Sequence, residues 1–316
     1  RQGSRRLATA RVHTIANPCR EQHATTAGRE PAATRGSTPQ LPTHRVTATF
    51  EDMRTRTVIS LTVAALALTA GCSSYQPLTE PASALPPGVE LTDHGDYLAL
   101  LPSGRGSGGE SAGEGADGGT GPDRAAPAGH GIIFYPGGLV EPEVYVSMLA
   151  PLAADGIPVA ILRVPADLAV FSPRRATRVI EAPFGARARS WVVAGHSLGG
   201  AMAARLVART ANDYRSVRGL VLLAAYPAEN DSLAERDVPA LSIWASEDGL
   251  ATAEDRRETA DRLPHDARVV VIEGGNHAGF GEYGPQDDDG EATIPREAQH
   301  ERVREEIRAF IERLGR

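Results

Sequence analysis

One serine of this chain stands in a setting that favours nucleophilic chemistry. Residues 192–200 run from a short apolar stretch into Gly-His-Ser-Leu-Gly and then into small residues that favour a helix. A serine on a sharp strand-to-helix turn has a strained backbone, and glycines two residues away on either side remove the collisions that side chains would make. Gly195 and Gly199 fill these two positions. The pattern predicts that Ser197 attacks an acyl carbonyl; the alternative is an ordinary glycine-rich turn.

An acid and a base follow the serine along the chain. Asp248 comes three residues after the predicted strand 241–245, and His277 comes just after the last predicted strand. Functional residues of a doubly wound sheet lie beyond the carboxyl ends of its strands, so we expect both beside Ser197. His277 would take and return the proton, and Asp248 would hold the imidazole. Two alternatives stay open: Glu247 could replace Asp248, and His277 could be an ordinary surface histidine.

Two backbone amides are expected to stabilise the oxyanion of a tetrahedral intermediate. The first is the N–H group of Leu198, directly after the nucleophile. The second would come from the loop that follows the predicted strand 131–135. In that loop Gly138 is the candidate donor and Leu139 is the next choice, and a simple glycine turn is the alternative interpretation.

The elements that must position these residues alternate between strand and helix. Such alternation predicts an α/β fold with a mainly parallel, doubly wound sheet and helices on both faces. Only eleven residues, 227–237, are available for a lid after the strand that follows the serine, so we expect no large cap domain and an open site. Phe171, Tyr145 and the loop 278–294 are the expected walls of that site. The predicted strands are 96–101, 131–135, 158–164, 191–194, 219–225, 240–245 and 267–272; the predicted helices are 143–154, 173–181, 201–208, 253–263 and a final helix with an apolar stripe of Val303, Ile307, Phe310, Ile311 and Leu314.

Four motifs together resemble those of the α/β-hydrolase superfamily. They are Tyr-Pro-Gly-Gly-Leu at 135–139, Gly-His-Ser-Leu-Gly-Gly at 195–200, Asp-Gly-Leu at 248–250 and Gly-Gly-Asn-His at 274–277. The layout is similar to small dienelactone-hydrolase-like and lipase-like enzymes. The resemblance implies a serine hydrolase that cleaves small-molecule carboxylic esters, or related acyl compounds, through an acyl-enzyme and without a cofactor or metal. Because dienelactone hydrolases proper carry a cysteine where this chain has Ser197, their substrate is disfavoured.

Other functions remain compatible with the same residues. A peptidase, a thioesterase or an acyltransferase would use the same three side chains. A catalytically inactive, lipid-anchored binding or scaffold protein could also retain this fold. The acidic run 287–289 before Gly290 lacks the alternation of a calcium loop, so we interpret it as a solvated acidic loop.

The N-terminal region predicts export. Residues 1–52 lack hydrophobic periodicity, and we expect them to be unstructured or absent from the mature protein. Residues 53–71 combine two arginines with the apolar run 58–70 and resemble the signal peptide of a bacterial lipoprotein. That resemblance implies that Cys72 is diacylated, and the alternative is a buried apolar helix with an incidental cysteine. Residues 72–90 would then tether the folded domain to the outer side of the cell membrane. This domain would span residues 91–316, with a disordered glycine-rich loop near 103–129.

Composition removes several classes of function. All 33 basic residues are arginine, which excludes a Schiff-base lysine, a Ser-Lys dyad and a Walker lysine. From Cys72 onward 23 arginines face 36 acidic residues, a net charge of −13, so we expect no nucleic-acid partner. Cys19 and Cys72 are the two cysteines of the chain, so acylation of Cys72 would leave no disulfide in the folded domain.

Overall fold

Apolar strands form the framework of the fold. The computed structural model describes residues 12–14, 74–103, 128–210 and 216–315. Within these ranges the strands are β1 (Val12–Thr14), β2 (Val89–Asp93), β3 (Tyr97–Pro102), β4 (Ala128–Tyr135), β5 (Val159–Leu162), β6 (Ala188–His196), β7 (Val217–Leu223), β8 (Ala240–Ala245) and β9 (Arg268–Ile272).

These strands join into one sheet in the order β1-β9-β8-β7-β6-β4-β5-β3-β2. The six strands from β9 to β5 run parallel. At the edges, β1 pairs antiparallel with β9, and the β2–β3 hairpin pairs antiparallel with β5. All four residues of β5 are buried, as expected for a parallel strand covered on both faces. The predicted α/β fold with a mainly parallel sheet is confirmed.

Helices cover both faces of the sheet because successive strand residues point in opposite directions. The helices are α1 (Val146–Ala154), α2 (Arg175–Glu181), α3 (Leu198–Thr210), α4 (Ala253–Glu258) and α5 (Arg296–Leu314). Ile132 and Phe134 of β4 belong to the core on one face, which also includes residues of α1 and α5. Ile133 and Tyr135 belong to the core on the other face, together with residues of α2 and α3.

Element boundaries agree with the predictions where burial dominates. The strand predicted at 240–245 has those bounds, and the predicted apolar stripe of α5 packs against the core. The helix predicted at 253–263 is shorter, because α4 ends at Glu258 and a separate 3-10 turn follows. The connection from β7 to β8 contains one three-residue 3-10 helix, Glu229–Asp231, so it holds no cap domain.

Part of the segment predicted as a tether packs on the folded domain. We call Ser74–Thr79 the strap. The Tyr75 amide donates to the Leu139 carbonyl (2.7 Å), and the Tyr75 carbonyl accepts from the Glu141 amide (3.0 Å). β2 begins at Val89, so the folded unit also starts earlier than the predicted residue 91. Paired backbone groups hold the strap on the domain, although it belongs to the segment 72–90 that was predicted to be a tether.

Several predictions fall on residues outside the described ranges. They concern the signal peptide 53–71, the acylation site Cys72 and most of the glycine-rich loop near 103–129. Of the segment 1–52, the structure describes the three residues of β1 alone. Among the described residues, none of the helices has the length and hydropathy that a membrane span requires.

Candidate active site

A strained turn between β6 and α3 presents Ser197. Its φ angle is +52°, in the left-handed region that residues other than glycine rarely adopt. The Ser197 amide donates to the Leu223 carbonyl at the end of β7 (3.0 Å). A Cβ atom on Gly195 would lie 2.6 Å from the Gly199 backbone, and one on Gly199 would lie 2.1 Å from the Pro136 carbonyl oxygen. Both positions therefore require glycine for the helix to pack this close to the strands.

His277 and Asp248 form a buried pair at the same edge of the sheet. His277 Nδ1 lies 2.9 Å from Asp248 Oδ2 and 3.1 Å from Oδ1. Asp248 Oδ1 also accepts from the amides of Leu250 (2.9 Å) and Ala251 (2.7 Å), which fixes the carboxylate. Glu247, the alternative acid of the sequence, is exposed. The carboxylate on the histidine is therefore that of Asp248, and the contact leaves Nε2 as the other ring nitrogen.

Ser197 and His277 line one open pocket of about 380 Å³. Its wall is mainly apolar and contains no Asp, Glu or Arg side chain from the described residues. Gln286 brings one polar group from the loop 278–294, which is therefore a wall as predicted. Phe171 and Tyr145 do not line this pocket: Phe171 is exposed, and Tyr145 is fully buried. The remaining lining residues are Leu198, Ala201, Ala224, Ala225, Tyr226, Leu250 and Ala251.

The two proposed oxyanion donors belong to segments that touch each other. A Cβ atom on Gly138 would be 3.0 Å from Leu198 Cδ2, so the loop after β4 touches the residue after Ser197. Within the described part of the chain, the amides of Gly138 and Leu198 have no hydrogen-bond acceptor. Leu139, the other predicted donor, is not available to an oxyanion in this structure, because its amide donates to the Asp167 carbonyl (2.8 Å).

The sequence did not predict a buried link between residues 136–139, which we call the oxyanion loop, and the turn that carries Ser197. The Tyr145 hydroxyl accepts from the Gly137 amide (2.9 Å) and lies 3.0 Å from His196 Nδ1. Burial raises the pKa of Tyr145, so the hydroxyl keeps its proton. Burial, followed by the nearby His277, lowers the pKa of His196 well below its ordinary value. His196 is therefore neutral, and its ring centroid lies 4.5 Å from that of His277.

The acidic run 287–289 is also more than a solvated loop. Asp289 is half-buried, and its carboxylate accepts backbone hydrogen bonds beside both His277 and Asp248. Among the described residues, no group of three or more His, Cys, Asp or Glu side chains could hold a metal ion. Nothing in the local sequence distinguishes Asp289 from its neighbours, because its partners come from two distant turns.

Comparison with known proteins gives one family match. A model described as the alpha/beta hydrolase family matches residues 131–301. No curated protein matches this chain.

Several solved structures have a similar fold at low sequence identity. Esterase 2 from Thermogutta terrifontis, phosphorylated by paraoxon, is 17% identical with a TM-score of 0.44, and the match covers 70% of this chain and 93% of the esterase. Dienelactone hydrolase from Anabaena variabilis is 13% identical with a TM-score of 0.46, over 69% of this chain and 96% of that one. Est1E from Butyrivibrio proteoclasticus is 12% identical with a TM-score of 0.48, over 71% and 99% respectively.

Proposed function

The chain belongs to the α/β-hydrolase family, and we propose that it is a serine hydrolase that cleaves carboxylic esters through Ser197, His277 and Asp248. One observation carries this proposal. His277, whose ring is paired with the buried Asp248 carboxylate, lines the same pocket as a serine held at a left-handed φ angle. This supports the proposal because acyl transfer by a serine requires a nucleophile, a base and an orienting acid.

The proton path follows from the contacts of His277. Asp248 holds the proton on Nδ1, so Nε2 is free to accept the Ser197 hydroxyl proton as Oγ attacks the ester carbonyl. The imidazolium then returns that proton to the leaving alcohol, and an acyl-enzyme remains on Ser197. Water, deprotonated by the same Nε2, then attacks the acyl carbon. The bond between that carbon and Ser197 Oγ breaks, Oγ takes the proton back from Nε2, and the carboxylic acid is released.

The negative oxygen that develops in both steps needs fixed donors. The amides of Leu198 and Gly138 supply two N–H groups from adjacent loops. Leu198 is the first residue of α3, where an N–H group has no partner within the helix. Among the residues that the structure describes, neither amide has an acceptor that it would have to leave before it binds the oxyanion.

The pocket favours an uncharged substrate. Its alanine-rich wall with Leu198, Leu250 and Tyr226 offers apolar contact and no charged partner for an ionised acyl group. Its volume of about 380 Å³ lies toward the small end of ligand sites. Neutral esters with small acyl groups are therefore the proposed substrate class.

A fluorophosphonate probe tests the proposal directly. We expect the purified wild type to be labelled and the variants Ser197→Ala and His277→Ala to lose labelling. Ser232→Ala, at an exposed serine away from the pocket, is the matched control and should label like the wild type. A folded wild type that stays unlabelled and leaves a panel of p-nitrophenyl esters intact would support the binding or scaffold alternative. Hydrolysis of peptides or thioesters in preference to esters would instead change the proposed substrate.

Export and acylation remain part of the proposal. The signal-like segment 53–71 and Cys72 support attachment to the outer side of the cell membrane through a lipid. Mass spectrometry of the N-terminal peptide from membranes tests this. A diacylated Cys72 is the expected result, and an intact peptide spanning residues 53–80 would contradict it.

A further inference from the structure

One carboxylate outside the proposed triad touches the backbones of both turns that carry the histidine and its acid. Asp289 Oδ1 accepts from the amides of His277 (3.1 Å), Gly249 (3.3 Å) and Gly290 (2.9 Å). Asp289 Oδ2 accepts from the Ala278 amide (2.8 Å). All four partners are donors, so the ionised carboxylate satisfies every contact.

The loop that carries Asp289 packs against the acid turn at backbone distance. A Cβ atom on Gly249 would lie 2.2 Å from the Asp288 carbonyl oxygen, and one on Gly290 would lie 1.9 Å from the Glu247 carbonyl oxygen. The Asn276 side chain donates to the Gly290 carbonyl (2.7 Å) and ties the same loop to the histidine turn. Two turns that follow different strands are thus joined by a third segment.

A backbone hydrogen bond also links Asp289 to the pocket wall. Its own amide donates to the Gln286 carbonyl (3.2 Å), and Gln286 lines the pocket beside Ser197. The segment 286–290 therefore connects the wall that faces the substrate with the backbones behind His277 and Asp248.

From these contacts we infer that Asp289 is a positioning residue for His277 and Asp248, holding their two turns in register independently of the His277–Asp248 contact. This inference rests on the proposed function. Asp289 touches backbone amides and none of the reacting atoms, so it acts through the residues that it places. Removing it should loosen the distance between the imidazole and Ser197 while leaving the substrate pocket largely in place.

Two substitutions of Asp289 remove different numbers of these hydrogen bonds, so they should lower kcat to different extents. In Asp289→Asn, the single oxygen can keep the Oδ1 contacts, and the amide group then points a donor at the Ala278 N–H group. In Asp289→Ala all four amides lose their acceptor. Since a displacement of about 1 Å can cost about 100-fold in rate, we expect kcat to fall about 10-fold in Asp289→Asn and about 100-fold in Asp289→Ala, with KM changed less than about three-fold. Asp287→Asn, in the same acidic run and exposed, is the matched control.

The experiment uses the full chain and counts active sites. Fluorophosphonate titration gives the fraction of competent enzyme, and p-nitrophenyl butyrate gives kcat and KM per titrated site, so a partly unfolded sample does not imitate a positioning defect. Hydrogen exchange adds a readout independent of turnover: the Ala278 amide should exchange faster in Asp289→Asn than in Asp287→Asn. In Asp289→Ala the amides of Gly249 and His277 should exchange faster as well. If Asp289→Ala does not fold, the asparagine variant alone decides.

The outcomes separate this inference from the function on which it rests. An active wild type with unchanged kcat per site and unchanged exchange in the Asp289 variants would overturn the positioning role and leave the hydrolase proposal standing. A rise in KM at constant kcat would also overturn it, because Asp289 would then act on substrate binding. A wild type that reacts with no fluorophosphonate would contradict the proposed function, and the positioning role with it.

Discussion

Replacing Asp248 by asparagine should place the proton of the neutral His277 ring on the wrong nitrogen. Asp248 Oδ1 accepts from the Leu250 and Ala251 amides, so the asparagine oxygen is drawn to that position. Its amide group then takes the place of Oδ2, 2.9 Å from His277 Nδ1, and donates to the ring. Because Nδ1 must now accept, the neutral imidazole carries its proton on Nε2 and cannot take a proton from Ser197.

The size of the loss follows from that tautomer. The same change in a serine, histidine and aspartate site lowers kcat by about 10⁴-fold, which corresponds to about 5.5 kcal/mol of transition-state stabilisation. The two backbone hydrogen bonds to Oδ1 survive the substitution, so we expect the turn to keep its shape. The variant should therefore fold like the wild type and bind substrate with a similar KM.

Kinetics on p-nitrophenyl butyrate, with thermal melting as the check on folding, measures this prediction. Glu247→Gln is the control, since the Glu247 side chain is exposed and its hydroxyl partner is the neighbouring Ser246. It should retain kcat within about two-fold. A folded Asp248→Asn enzyme that keeps more than about a tenth of wild-type kcat would refute the tautomer argument.

Three further predictions concern the surroundings of the site. Burial, with help from two neighbouring arginines, lowers the pKa of His300 to about 3, so this residue is neutral when folded and protonates on unfolding below about pH 6.5. As the pH falls from about 6 to 4, the wild type should therefore lose about 1.4 kcal/mol of unfolding free energy per pH unit from this group. Urea titrations should find this slope reduced in His300→Leu and unchanged in His265→Gln, a substitution at an exposed histidine. Tyr145→Phe leaves the buried Gly137 amide without its acceptor, and melting and turnover assays should show a loss of about 1–3 kcal/mol in stability together with a lower kcat. Gly199→Ala would place a Cβ atom 2.1 Å from a carbonyl oxygen, so expression and urea denaturation should show an unfolded or strongly destabilised chain.

The sequence was sufficient to predict the sheet because its strands are buried on both faces. Continuous apolar runs of the kind seen at β5 and β8 are typical of parallel strands that helices cover on both sides. Asp248 and His277 could be predicted for the same reason. Each follows such a run, and parallel strands bring their carboxyl ends to one edge of the sheet.

Hydrogen-bond partners far along the chain could not be predicted in this way. Leu139 looked like a free donor, but its amide is taken by Asp167, 28 residues later. His196 had no predicted role, but Tyr145 connects it to the oxyanion loop. Asp289 looked like one of three equivalent acids. In each case the residue type allowed several environments, and packing selected one of them.

The strap shows that contacts between distant segments shape the site in ways that its motifs do not reveal. The backbone of Tyr75 pairs with Leu139 and Glu141 at the C-terminal end of the oxyanion loop, and its ring lies 5.1 Å from that of Tyr283. The Tyr283 hydroxyl in turn donates to Gln286, on the pocket wall. A segment predicted as a tether therefore joins the loop of Gly138, the proposed oxyanion donor, to the loop that follows His277. The motifs determine which groups can react, but these non-local contacts determine the distances between them, so substitutions in the strap should alter turnover without touching any residue of the motifs.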